Sequence, residues 1–203
     1  MSNLLKKLFR KSVDEEHNDK KVDVRSPYAP DISTPIDEQF TMHFKNNGGK
    51  FIYCENLNEI SENFENILAE NDWFEKEVIC FDARLFKLLE ENRLSPDGSS
   101  ESATFFLTSC ENLIADEGSI LFSSNQLKHF KPNELPTNVI VFATTSQITG
   151  TKGDGLRRIK NAHEKNYPTN ITTIKYFEEV KEQDFLHYGS CHKNLYLLLL
   201  EDL

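Results

Sequence analysis

Two hydrophobic rhythms alternate along the chain. "KFIYC" (50–54), "EVICF" (77–81) and "NVIVFATTS" (138–146) are short continuous apolar runs, the pattern of strands buried on both faces. Between them, apolar residues recur every three or four positions, which places them on one face of a helix. "IDEQFTMHFKNN" spaces Ile36, Phe40 and Phe44 by four, and Gly48-Gly49 ends it as glycine ends helices. "NLNEISENFENILAEN" sets Leu57, Ile60, Phe64, Ile67 and Leu68 on one face, with Asn56 and Glu59 at capping-box spacing. "ARLFKLLEEN" after Asp82 and "DGLRRIKNAHEKN" with Asp154 as cap supply two further helices. "ATFFLTSC", "SILFSS", "NITTIKYF" and "LYLLLLEDL" complete the strands.

This alternation predicts an α/β fold in three layers, a mainly parallel sheet with helices on both faces. Residues 103–146 break the rhythm with several strands and no helices between them, so a mixed or antiparallel β excursion is expected there. Residues 36–203 form the expected single domain. Before it, 12–35 reads as a linker, a mixed charge run followed by Pro27, Pro30 and Pro35. Residues 1–11 set Leu4, Leu5, Leu8 and Phe9 against Lys6, Lys7, Arg10 and Lys11, a short basic amphipathic helix. Such a helix suits peripheral contact with an anionic membrane or a partner groove. Alone in water a helix this short is marginal, so a frayed tail is the competing expectation.

Composition narrows the classes. A net charge of −10 over 203 residues argues against a general nucleic-acid binder, which needs clustered Lys and Arg to neutralise phosphates. Fifteen Phe residues give a chain that is only 38% hydrophobic enough bulk for a core. Cys54, Cys80, Cys110 and Cys191 are widely spaced without a CxxC pair, so neither a zinc ribbon nor an iron–sulfur cluster is expected. Buried, reduced thiols and a cytoplasmic location are expected instead. No apolar run approaches the ~20 residues a membrane-spanning helix needs.

Candidate chemistry falls in four loops. In "NLIADEGSILFSS", Gly118 permits positive φ, so the backbone around Asp116, Glu117, Gly118 and Ser119 can turn amides toward an anion. Glu117 is a candidate general base. A β-hairpin turn with solvated acids needs the same glycine, and local sequence does not separate the two. "GTKGDG" (150–155) opens a helix, making Lys152 and Gly153 candidates for anion contact, although it is neither Walker A nor GxGxxG. "HYGSCHKN" (187–194) offers His187, Cys191 and His192 without a matching partner pair, so no metal site is expected. His192 is a second catalytic candidate because it titrates near neutrality. In "FKPNELPTNVIVF", Leu135-Pro136 sets the approach to a strand, with Lys128 and Lys131 nearby. None of these loops fixes a reaction.

"NLIADEGSILFSS", "LPTNVIVFATTSQI" and "GSCHKNLYLLLLED" occur in an order that resembles the lactate-utilisation (LUD) domain family of LutC-like proteins. The family pattern A-[DE]-T-G-[ST], an L-P step into a strand and a Gly/His loop before a last apolar strand is matched in some forty residues spread over about 36–203. The resemblance implies a NagB/RpiA/CoA-transferase-like α/β fold. It also implies an accessory or small-molecule-binding role linked to oxidation of L-lactate to pyruvate, beside iron–sulfur oxidoreductase partners. The family pocket would fall on Ala115, Asp116, Glu117, Gly118 and Ser119, and more weakly on His192. Glu117 stands where the family has Thr, and Lys131, Thr137 and Asn138 lie where it has Arg and His. These changes remove positive charge from a site for lactate itself. Two other functions compete: an interaction module docking through residues 1–11, and, by fold analogy alone, an acyl or CoA transferase with Glu117 as nucleophile.

Overall fold

The computed structural model describes residues 34–96, 99, 101–177 and 193–202. The expected basic helix (1–11), all but the end of the linker (12–35), and His187, Cys191 and His192 lie outside the described residues.

Five strands form a parallel sheet. They are β1 (Lys50–Cys54), β2 (Val78–Cys80), β3 (Phe105–Ser109), β6 (Asn138–Thr144) and β9 (Asn194–Leu200), in the order β1-β9-β6-β3-β2. A second, mixed sheet has the order β7-β4-β5-β8, from β4 (Asn112–Ile114), β5 (Ser119–Ser123), β7 (Ile148–Thr149) and β8 (Ile171–Ile174). Here β4 and β8 run antiparallel to β5, whereas β7 is parallel to β4. This is the β excursion expected in the middle of the chain.

The central strand β9 shows why its sequence is an unbroken apolar run. Leu195, Leu197 and Leu199 enter one core, while Tyr196 and Leu198 enter the other. A strand sandwiched between two layers has no polar face to display. On one side lie α2 (Leu57–Asn71) and α3 (Phe86–Glu91), packing Ile60, Phe64, Ile67, Leu68 and Leu89 onto Phe105, Leu107 and Ile140. Trp73 stacks on Phe105 with centroids 5.1 Å apart. Asn56 caps α2 by accepting from the Glu59 amide, and the Glu59 carboxylate reaches back to the Glu55 amide.

The opposite face carries the third layer. It is shared by α1 (Ile36–Asn46), through Phe40 and Phe44, and by the inner side of the mixed sheet, through Leu113, Ile120 and Phe122. A short helix, α4 (Ser124–Leu127), follows β5, and the outer side of that sheet, Ile114 and Leu121, is closed by Ile159 of α5 (Lys152–Ala162). Period-two alternation in β4 and β5 sends successive side chains to these two cores. The cap of α5 differs from expectation. Thr151, not Asp154, is the N-cap and accepts from the Asp154 amide, while Asp154 sits inside the first turn.

Candidate functional site at the carboxyl edge of the parallel sheet

The "ADEGS" stretch is the tip of the β4–β5 hairpin. Ile114 pairs with Ser119, leaving Ala115 to Gly118 as the turn. Gly118 has φ +61° and lies against the last turn of α1, where a Cβ would sit 2.3 Å from the His43 carbonyl carbon. His43 Nδ1 donates to the Ala115 carbonyl at 2.7 Å, and Asn47 Nδ2 donates to the carbonyls of Glu117 and Gly118 at 2.8 and 3.1 Å. The amides of Ala115 and Asp116 donate to the Thr149 and Gly150 carbonyls. Those two amides are therefore engaged within the fold. Asp116 is exposed, Glu117 is partly exposed, and buried Ser119 donates to the Glu117 carboxylate at 3.1 Å.

The Asp116–Gly150 bond brings the hairpin tip beside the start of α5, so the structure joins two of the sequence's candidate loops. Lys152 and Gly153 are exposed there. At the same helix end, the Asp154 carboxylate accepts from Thr151 Oγ1 at 2.8 Å and already supplies negative charge to the positive end of the dipole. Gly155 lies close against the outer core: a Cβ there would meet the side-chain ends Leu121 Cδ1 at 2.8 Å and Ile114 Cδ1 at 2.9 Å.

A richer cluster occupies the open edge where the parallel strands end. The link leaving β2 turns toward the α2/α3 layer, and the link leaving β3 turns toward the mixed sheet. Divergence of this kind opens a crevice outside the strand carboxyl ends, where α/β sheets bind ligands. Asp82, just past β2, accepts from Arg84 Nε at 2.9 Å and from Arg84 Nη2 at 2.6 Å. Its carboxylate also accepts from the Arg84 amide and from Ser109 Oγ at 2.7 Å. Arg84 Nη2 in turn donates to Ser109 Oγ at 3.2 Å. The Arg84 hydrogen bonds, with help from Ser109, hold the Asp82 carboxyl down at about 2.

Beside this network is a cavity of about 280 Å³. Phe142, Leu57, Leu85 and Leu88 supply its apolar wall, and Arg84 and Lys87 lie among its polar groups. The α2 N-terminus contributes Leu57 and Asn58, and the Glu59 carboxylate folds back over that helix end onto the Glu55 amide.

A second polar cluster follows β3. The Glu111 carboxylate accepts from Ser123 Oγ at 2.6 Å and Gln126 Nε2 at 3.1 Å, with His163 Nε2 at 3.4 Å. Burial pushes the Glu111 carboxyl up, but the bonds from Ser123, Gln126 and His163 outweigh it and hold it below the usual range. Ser123 and His163 both address the carboxylate rather than each other. That order fastens the end of α5 to β5 and does not make Ser123 an activated nucleophile. At the neighbouring strand ends, Asp202 accepts from Thr145 Oγ1, Ser146 Oγ and the Ser146 amide, tying β9 to the turn after β6.

In the sequence Asp82 reads only as a helix cap, and Arg84, Ser109 and Glu111 belong to no motif. The available signal was positional: each follows or ends an apolar strand, where parallel sheets carry their sites.

The fold is therefore an α/β domain whose parallel sheet is backed by a small mixed sheet and opens at its carboxyl edge. The chain belongs to the LUD domain family, whose model matches residues 71–199. A crystal structure of a DUF162 family protein from Deinococcus radiodurans is similar in fold, with a TM-score of 0.58 at 15% identity, covering 81% of this chain and 96% of that one. No curated protein matches the chain.

Proposed function

We propose that this LUD-domain chain is a small-molecule-binding accessory component of lactate utilisation, working beside oxidoreductase partners that carry out the oxidation. The observation that carries the reading is the carboxyl-edge cleft, where Arg84 is oriented by Asp82 beside the apolar wall of Phe142, Leu57, Leu85 and Leu88. A guanidinium held in place on one side presents its other side to a carboxylate at low ordering cost. Lactate and pyruvate are carboxylates, as are their metabolic neighbours. Direct catalysis is not part of the proposal: among the described residues at the carboxyl edge, Asp82 is engaged by Arg84 and Ser109, and Glu111 by Ser123 and Gln126.

A second reading keeps the ligand at Asp116, Glu117, Gly118 and Ser119 with Lys152 and Gly153. It is favoured by the Asp116–Gly150 hydrogen bond, which sets these loops side by side. A thermal-shift screen with lactate, pyruvate and related small carboxylates tests both. A ligand at a hundred times its dissociation constant adds ~2.7 kcal/mol to stability. The shift should vanish in Arg84→Gln and persist in Lys152→Gln. The opposite pattern moves the ligand to the hairpin, and no shift with any carboxylate sinks the anion-binding role.

A further inference from the structure

The shape of the cleft says more about its ligand than the single charge does. Resting on the carboxylate-binding reading above, we infer that the cleft takes an aliphatic monocarboxylate with a tail of several carbons, larger and more apolar than lactate. Its head would meet Arg84 and its tail would lie against Phe142, Leu57 and Leu88.

Donor accounting fixes the head. A guanidinium has five N–H groups. Arg84 gives one from Nε to Asp82 and two from Nη2 to Asp82 and Ser109. Its Nη1 group has no hydrogen-bond partner among the described residues, and the side chain is 79% exposed. Asp82 receives four hydrogen bonds, from the Arg84 amide, Nε and Nη2 and from Ser109, so its acceptor sites are filled. The other acid of the cleft, Glu91, accepts from Ser61 Oγ at 3.0 Å and faces Lys87 Nζ at 3.7 Å. At the Arg84 end of the cleft every Asp82 acceptor is filled and the Nη1 donors are open, which selects an anion there, while Glu91 at the other end is paired with Lys87.

Volume and lining fix the tail. About 280 Å³ is close to the lower bound of ~300 Å³ for drug-sized sites, and far more than a lactate methyl group fills. Leu57 is 67% exposed at the mouth, although it stands on the apolar face of α2. A ligand restricted to the head subsite would leave Leu57 and the Phe142 floor uncovered, whereas a short alkyl chain covers both.

The test is titration of the full 203-residue chain with lactate, butanoate, hexanoate, octanoate and hexan-1-ol. From butanoate to hexanoate, each added methylene should tighten binding about fourfold, the equivalent of ~0.8 kcal/mol per buried CH₂. Hexan-1-ol should bind at least tenfold more weakly than hexanoate, and Arg84→Gln should erase that difference. Ser61→Trp, which fills the cavity from its rim, should abolish hexanoate binding but spare lactate. Asn58→Trp replaces it if that variant does not fold. Equal affinity for lactate and hexanoate, or full hexanoate binding in the folded tryptophan variant, overturns the tail assignment while the carboxylate reading stands. Absence of binding by every carboxylate overturns both.

Discussion

Gly118 and His43 are in backbone contact that no side chain can share: a Cβ on Gly118 would stand 2.3 Å from the His43 carbonyl carbon and 2.4 Å from the Phe44 amide nitrogen. The hairpin tip is docked on the end of α1, and Gly118 at φ +61° makes that approach possible. The obstruction is helix backbone, which cannot move aside as a side-chain end can. Gly118→Ala should therefore cost about 2–4 kcal/mol, combining a left-handed residue with overpacking. Urea denaturation measures it, and a loss below ~1 kcal/mol would mean that the tip can undock without consequence.

Asn47 holds the same junction from the other side. Its Nδ2 serves the Glu117 and Gly118 carbonyls together. Asn47→Ala removes both bonds and should cost about 1–2 kcal/mol. If the hairpin is held mainly by these carbonyl contacts, hydrogen exchange in Ile114 and Ser119 should accelerate in the variant.

Gly155 offers a control. Its hypothetical Cβ meets Leu121 Cδ1 and Ile114 Cδ1, the ends of side chains that can shift. Alanine also gains ~1 kcal/mol of helix propensity over glycine. Gly155→Ala should leave stability within about 1 kcal/mol of the parent, in contrast to Gly118→Ala. Equal losses at the two sites would show that the outer core around Ile159 is as unyielding as the α1 backbone.

Asp82 gives a pH signature with a defined sign. Its carboxyl lies at about 2 in the folded chain against an ordinary value of 3.8. A depressed carboxylate contributes stability that is complete above the unfolded value and is lost as pH falls through the folded one. The stability difference between the parent and Asp82→Asn should therefore be constant above about pH 4 and shrink toward pH 2. Urea unfolding across pH 2–6 reads it; a flat difference over the whole range would mean that the Arg84 pair does not persist in solution.

The strands of the parallel sheet were legible because burial on both faces leaves an unmistakable apolar run, as in β6 and β9. The helices α1 and α2 were legible because Phe40 and Phe44, or Ile60, Phe64 and Ile67, repeat at helical spacing. What stayed hidden was non-local. The strand β7 has two residues, Ile148–Thr149, too few to show a period, and exists because β4 lies beside it. Gly118 reads in the sequence as a residue that permits positive φ, which it adopts, yet its neighbour, the end of α1, is more than seventy positions away in sequence. Arg84 and Ser109 form one site only because β2 and β3 are adjacent, and a single sequence does not announce strand order.

The cysteines allow a last prediction, which bears on chemistry as well as packing. Cys54, Cys80 and Cys110 are all buried, and burial pushes the first two thiols up to about 11 and Cys110 higher still. Nucleophilic attack needs thiolate, and at pH 8 a thiol titrating near 11 is about one-thousandth ionised. In a Cys191→Ser background, the folded chain should be inert to an aromatic disulfide reagent at pH 8, and three equivalents should react on unfolding. Reactivity in the folded state should rise only as the pH approaches 11. Prompt reaction of one equivalent at pH 8 would mean that one of these three thiols is accessible in solution and would reopen thiol chemistry at Cys80 or Cys110, which flank the carboxyl edge. Inertness of all three assigns them to the core and removes a sulfur nucleophile from the chemistry open to the cleft.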